Sequence, residues 1–299
     1  MKKQCEHCGK NFKAQRATAK YCSVNCRVKA SSPNKSYDRE KNLAAFQKMG
    51  LVKTEWITTG IKDFDALTKI PRGRITQIQG PYGVGKTTLC LNMIKGLSQQ
   101  KQKVLYIDSE ASLNPELLVD LEIDAEYFTL YNESAYLEDI SEVIRVAAKS
   151  GDYDLVIFDS LAMTTTKAIA ENDITASNIG QKAKLTHKLI QLTQMDFKNT
   201  NTAFVVINQE REVIGSYVPQ KYTPGGSAVP YAASLIVALK TIKSWRFPKS
   251  PKDGVYSGHE VEATIIKSKV NQPWRTEKFK LYYPKPVAMP QEEVDAPAF

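Results

Sequence analysis

One stretch limits the fold more than any other feature of the chain. Gly80-Pro81-Tyr82-Gly83-Val84-Gly85-Lys86-Thr87-Thr88 fits the pattern G-x4-G-K-[ST]. The apolar run Ile75 to Gln79 before it reads as a strand, and Lys86 to Leu97 after it reads as a helix. That context gives the pattern its physical sense. The glycines let backbone N–H groups turn inward around a chain of phosphates, and the helix N-terminus adds the positive end of its dipole. Lys86 stands where it can neutralise β- and γ-phosphates, and the Thr87 hydroxyl where it can ligate magnesium.

Further strands are expected at Val104 to Asp108, Leu155 to Asp159, Phe204 to Asn208 and Leu235 to Leu239. Helices are expected at Pro115 to Leu121, Leu137 to Lys149 and Ser177 to Phe197. This alternation implies an α/β fold, a mostly parallel sheet flanked by helices on both faces. The 299 residues, 42% hydrophobic and 24% charged, have an ordinary globular balance that excludes a mainly disordered, collagen-like or disulfide-stapled chain. No apolar run is long enough to span a bilayer, and Met1-Lys2-Lys3-Gln4-Cys5 lacks the apolar segment of a secretory signal, so a soluble cytoplasmic protein is expected.

Two expected strands end in acids on the rim where the phosphates would lie. Asp159 closes Leu155-Val156-Ile157-Phe158 and precedes Ser160, the form of a carboxylate on the magnesium side; its alternative is a helix cap. Glu110 follows Tyr106-Ile107-Asp108-Ser109, where a carboxylate can orient and deprotonate an attacking water. Asn208 and Gln209 end a third apolar strand, where a neutral amide can contact a γ-phosphate and report its presence.

Charge and cysteine set the N-terminus apart. Residues 1–60 hold 13 basic and 4 acidic side chains, and the remaining residues hold 28 of each, so the whole net charge of +9 sits in this first fifth. Such a segment suits a polyanion such as nucleic acid, with a solvated tail as the alternative. Cys5, Cys8, Cys22 and Cys26 form C-x2-C and C-x3-C knuckles that match a closed zinc site, and His7 beside them reads as a bystander. Two disulfides are the alternative, against which the missing secretion signal weighs. The expected parts are a zinc module at 1–29, a linker rich in Ser, Pro and Asn followed by a short amphipathic helix (38–50) within 30–56, a nucleotide-binding core at 57–284, and a short tail at 285–299.

From about Ile57 to Tyr283 the chain resembles the bacterial RecA recombinase family. Ile70-Pro71-Arg72-Gly73-Arg74-Ile75, the Gly80-Pro81 P-loop, Ile107-Asp108-Ser109-Glu110, Asp159-Ser160 and Ile207-Asn208-Gln209 follow in that family's order. The resemblance implies a RecA-like P-loop NTPase core that uses ATP and Mg2+, with Glu110 as general base, Asp159 on the magnesium side and Gln209 as the switch between γ-phosphate and DNA. Lys267 and Lys269 look like the pair that reaches into a neighbouring subunit's ATP; residues i and i+2 of a strand face the same way. The segment 210–224, bounded by Gly225 and Gly226, resembles the second DNA loop, with Arg211 at its basic position and Ile214 at its wedge position. Residues 163–176 resemble the first DNA loop, followed by Lys184 at a DNA-facing position; Lys182 and Lys188 read as a solvated helix face. Tyr231 falls where the family has an aromatic residue at the subunit contact.

Departures carry information as well. Leu117 stands where an aromatic residue stacks on adenine, Asn114 stands in place of a nearby acid, and Tyr283 matches the other aromatic near the base. After Tyr283 only a Pro-rich, locally acidic stretch remains, so the family's long C-terminal domain has no counterpart, as in phage-encoded relatives. The expected activity is an ATP-dependent recombinase that forms a filament on single-stranded DNA and pairs it with homologous duplex, in a prokaryotic cell or a phage-infected host. The alternatives are a RadA/Sms-like or replicative-type helicase, and an ATP-switched annealing or accessory protein.

Overall fold

The computed structural model describes residues 2–6, 8–14, 16, 18–31, 38–49, 53–171, 180–212, 221–222, 224–245 and 258–282. His7, Ile214, Tyr283, most of the expected second loop, the end of the first and the C-terminal tail lie outside the described residues. The chain divides into two compact units, Met1–Lys53 and Thr54–Phe299.

The first unit opens with an antiparallel hairpin of β1 (Lys2–Gln4) and β2 (Asn11–Lys13). Between them Gly9 takes φ +72°, a left-handed conformation open to glycine, and its N–H donates to the Cys5 carbonyl at 3.0 Å. Helix α1 (Val24–Ser31) starts at Ser23, whose hydroxyl accepts from the Cys26 N–H at 3.2 Å. It runs two residues into the stretch read as linker, because Ala30 and Ser31 tolerate a helix and the first strong breaker is Pro33. Helix α2 (Arg39–Lys48) is capped by Asp38, which accepts from the Lys41 N–H at 2.9 Å, and buries none of its side chains.

The second unit runs through β3 (Trp56–Ile57), α3 (Lys62–Leu67), β4 (Ile70–Pro71), β5 (Ile75–Gly80), α4 (Lys86–Gln99), β6 (Val104–Asp108), α5 (Pro115–Asp120), β7 (Phe128–Tyr131), α6 (Leu137–Ser150) and β8 (Leu155–Asp159). It continues through α7 (Lys167–Glu171), α8 (Gln181–Thr200), β9 (Ala203–Gln209), β10 (Arg211–Glu212), β11 (Lys221–Tyr222), α9 (Ala228–Ala232), β12 (Leu235–Trp245), β13 (Gly258–Ser268) and β14 (Thr276–Tyr282). Eight strands form one sheet in the order β14-β13-β12-β5-β9-β8-β6-β7. From β12 to β7 every pairing is parallel, and β12, β13 and β14 are antiparallel.

The central strands are buried on both faces, which is why they read as unbroken apolar runs. One packed layer holds Ile78, Leu89, Met93, Ile157, Val205 and Ile207; the other holds Ile75, Ile144, Phe158, Phe197, Phe204 and Val206. Phe197 of α8 stacks on Phe204 of β9 with ring centroids 4.7 Å apart. Of the antiparallel margin, only the start of β12 and the strand position of Lys267 were expected; the rest of β13 and all of β14 were not. Along β13 apolar and polar residues alternate, Val261, Ala263 and Ile265 buried between Glu260, Glu262 and Thr264, so it lacks the continuous run that marks its neighbours. Helix α8 begins at Gln181 rather than Ser177, since Gly180 at φ +88° is its N-cap.

Candidate nucleotide cleft and nucleic-acid loops

β5, β9, β8 and β6 are neighbours and run parallel, so their carboxyl ends bring Gly80, Gln209, Asp159 and Asp108 to one rim in that order. Open parallel sheets bind ligands in this position. Gly83 and Gly85 take φ +72° and +93°, and a Cβ on Gly85 would stand 2.5 Å from Leu281 Cδ1. Backbone angle therefore favours glycine at both positions, and at Gly85 an added Cβ would also have to displace the Leu281 side chain. A cavity of about 310 Å³ on this rim is lined by the P-loop, Glu110, Leu117, Asp159, Ser160 and Gln209.

The Lys86 ammonium donates to the carbonyls of Gly80 at 3.1 Å and Pro81 at 2.8 Å. Burial lowers its pKa, and the carboxylates of Asp159 and Glu110 act against that shift. The Thr87 hydroxyl and the Tyr106 hydroxyl both donate to Asp159 Oδ2 at 2.6 Å. Burial raises the Asp159 pKa, and these two hydrogen bonds oppose it. A hydroxyl joined to a buried carboxylate beside a phosphate loop is a hard-oxygen donor set that fits magnesium.

Glu110 is held by its surroundings. The Asp108 carboxylate accepts from the backbone N–H groups of Glu110, Ser112 and Leu113 at 3.1, 2.7 and 3.0 Å, which fixes the turn past β6. The Ser160 hydroxyl donates to Glu110 Oε1 at 2.9 Å. Leu117 lies on the cavity wall, and Asn114 uses its carboxamide oxygen to cap α5, accepting from the Leu117 N–H at 2.8 Å.

At the end of β9 successive residues face opposite ways. Gln209 lines the cavity together with Ile207, whereas Asn208 shares the face of Val206. The Asn208 amide donates to the Pro224 carbonyl at 2.9 Å, and Glu210 Oε1 accepts from Gln79 at 3.0 Å. Gln79 in turn accepts from the buried Gln77 at 2.5 Å. This polar row, Gln77, Gln79 and Glu210, was not anticipated: the two glutamines sat inside an apparent core strand and Glu210 looked like the first residue of a loop. The only available signal was the placement of two amides at i and i+2 of that strand.

Arg211 and Glu212 pair with Tyr222 and Lys221 across the base of the same segment. Gly225, at φ +90°, would put a Cβ 2.6 Å from Leu161, and Gly226, at φ +76°, would put one 2.9 Å from the Ala183 Cβ. Lys184 is exposed and lines a shallow cavity with His187 and Ser227. Lys188 is exposed as expected of a solvated face, but Lys182 is not: its ammonium donates to the carbonyls of Ala162 and Thr164 at 3.0 and 2.7 Å, because α8 packs beside the segment those residues begin.

Lys267 is the penultimate residue of β13, and Lys269 lies just beyond the strand. The Lys267 ammonium donates to the carbonyls of Pro230 and Tyr231 at 2.7 and 2.8 Å, and burial and then the Lys269 charge lower its pKa. Tyr231 beside it is 77% exposed.

In the first unit the four cysteine sulfurs lie within 4.8 Å of one another, and Cys22 Sγ is 3.5 Å from both Cys8 and Cys26. A tetrahedron of sulfurs about 2.3 Å from zinc has edges of roughly 3.8 Å, and a disulfide needs about 2.05 Å. The cluster therefore fits zinc and holds no disulfide. Hydrogen bonds with Cys26 and then Cys8 push the Cys22 thiol up to about 12.

The sequence model of the RecA N-terminal domain matches residues 31–288. The chain belongs to the RecA family. It is 29% identical over 269 residues to Protein RecA of Sulfurimonas denitrificans, spanning 87% of this chain and 76% of that protein. It is 33% identical over 244 residues to Protein RecA of Francisella philomiragia, 80% of this chain and 66% of that one. Protein RecA of Thermus aquaticus is 29% identical over 266 residues, 87% and 77% of the two chains. In fold the chain is similar to the crystal structure of the RadB recombinase, with a TM-score of 0.54, 24% identity, and coverage of 75% of this chain and 95% of that one. The RecA-like sheet is thus borne out, and the RecA family model begins at residue 31, after the four cysteines. No described helix is long and apolar enough to cross a membrane.

Proposed function

We propose that this chain is an ATP-dependent DNA recombinase that assembles on single-stranded DNA and promotes its pairing with homologous duplex. The observation that carries the reading is the end of β9: Gln209 lies in the nucleotide cleft, while its neighbours Asn208 and Glu210 hold the base of the segment that leads to Gly225. A γ-phosphate that draws Gln209 into the cleft therefore acts on a loop anchored one residue away. Bound magnesium supplies positive charge against the phosphates, with Thr87 and Asp159 as the residues to hold it. Lys86 and the P-loop amides bind the triphosphate, and Glu110, oriented by Ser160, takes a proton from the attacking water. Hydrolysis then removes the γ-phosphate and releases the loop.

The Pro230 and Tyr231 carbonyls hold Lys267 beside exposed Tyr231, and burial and then the Lys269 charge lower the Lys267 pKa; this supports a nucleotide site completed by a second copy, whose anionic phosphates would neutralise the two ammonium groups. Arg211, Ile214, Lys184 and the Gly225-Gly226 turn are the proposed contacts to DNA, through backbone and stacking, hence nearly independent of sequence. Cys5, Cys8, Cys22 and Cys26 would hold zinc, which supplies folding energy to a segment too small to bury a core.

The decisive experiment measures oligonucleotide affinity with ADP, with a non-hydrolysable ATP analogue and without nucleotide. The analogue is expected to give the tightest binding; equal affinity in all three states removes the proposed coupling. Glu110→Gln is expected to lower ATP turnover by about 100-fold or more while nucleotide binding persists. Strand pairing in a D-loop assay, without unwinding of a labelled duplex, separates the recombinase from the helicase reading.

A further inference from the structure

We propose that the exposed face of the β1–β2 hairpin is a separate contact for the phosphate backbone of nucleic acid, made by Lys2 and Lys13. The antiparallel register sets Lys2 opposite Lys13 and Gln4 opposite Asn11, and the two-residue period of a strand puts these four on one face. All four are exposed, whereas Lys3 and Phe12 on the other face are half-buried.

Like charges directly opposite each other in an antiparallel pair repel, with Cβ atoms about 4.5–5.5 Å apart. Among the described residues of the two strands, no acid stands beside the pair. Glu6 is the single acid in residues 1–37 against nine basic residues, and it lies 3.6 Å from Lys20. Four thiolates and one zinc ion carry −4 + 2 = −2, so this +8 segment remains strongly positive when loaded. Two facing ammonium groups with no acid between them are stabilised by a bridging polyanion, and counterion release makes that contact salt-dependent.

The chemistry of the face selects the polyanion. An anionic membrane surface is held by an inserted apolar side chain or by a cluster of about four or more basic residues, and Lys2, Gln4, Asn11 and Lys13 offer no apolar side chain and only two lysines. Lysines are point charges without a fixed fork, so the contact carries no sequence readout. The hairpin belongs to the N-terminal unit and the P-loop to the other, and the contact is therefore expected with or without nucleotide.

The test uses the full-length, zinc-loaded chain and the double variant K2A/K13A, with K2R/K13R as the charge-preserving control and zinc content measured in all three. Binding to labelled oligothymidine and to duplex is titrated against salt, with no nucleotide and with a non-hydrolysable ATP analogue. For K2A/K13A the slope of log affinity against log salt is expected to fall by about 1.4 on single strands and about 1.8 on duplex, two phosphates' worth, in both nucleotide states. K2R/K13R is expected to keep the parental slope. An unchanged slope in K2A/K13A overturns the proposal, as does an equal loss in K2R/K13R, or a loss confined to vesicles of anionic lipid. The slope judges the hairpin alone, whereas a missing response to the ATP analogue counts against the recombinase reading, so the two failures are distinguishable.

Discussion

Asp159 shows how a single buried acid is kept in a useful state. Its carboxylate is 5% exposed, and one oxygen receives both the Thr87 and the Tyr106 hydroxyls. Thr87 belongs to the P-loop pattern and was legible from it; Tyr106 was not, because a tyrosine inside an apolar strand reads as core and its hydroxyl finds a partner only when β6 and β8 pair. Tyr106→Phe is expected to raise the magnesium concentration for half-maximal ATP turnover about tenfold or more, in keeping with a lost hydrogen bond to a charged group worth roughly 1.5–3 kcal/mol. An unchanged magnesium midpoint in a steady-state turnover assay counts against Asp159 as the magnesium-side acid. Asn114, expected beside the nucleotide base, also caps α5, a role its residue type fits.

At the scale of elements, legibility follows burial. Strands covered on both faces were read within two residues of their ends except at β12, where the apolar run stops at Leu239 while the strand continues to Trp245. Past Leu239 the strand enters the antiparallel margin, where the one-sided pattern of Lys240, Thr241, Ile242 and Lys243 is too weak a signal to identify a strand. α8 packs into one layer together with α6, and its Phe197 stacks on Phe204 of the sheet. Phe197→Ala is expected to cost about 3–5 kcal/mol of stability through transfer and cavity terms, read as a lower midpoint in chemical denaturation.

Across the whole molecule, the excess of Lys and Arg lies in residues 1–60 and the chain divides at Lys53, while the four-cysteine spacing anticipated the sulfur cluster. Chelation of zinc is expected to unfold the first unit, seen as new protease cleavage within residues 1–53, while ATP binding by the second persists; loss of both together would make the units one cooperative body. The opposed side chains at the end of β9 also set how far a message must travel. In the proposed coupling, sensor and responder stand one peptide bond apart, and no relay across the hydrophobic layers is required. Loosening those layers, as Phe197→Ala does, should make the protein melt sooner yet leave the ratio of DNA affinities with and without triphosphate untouched.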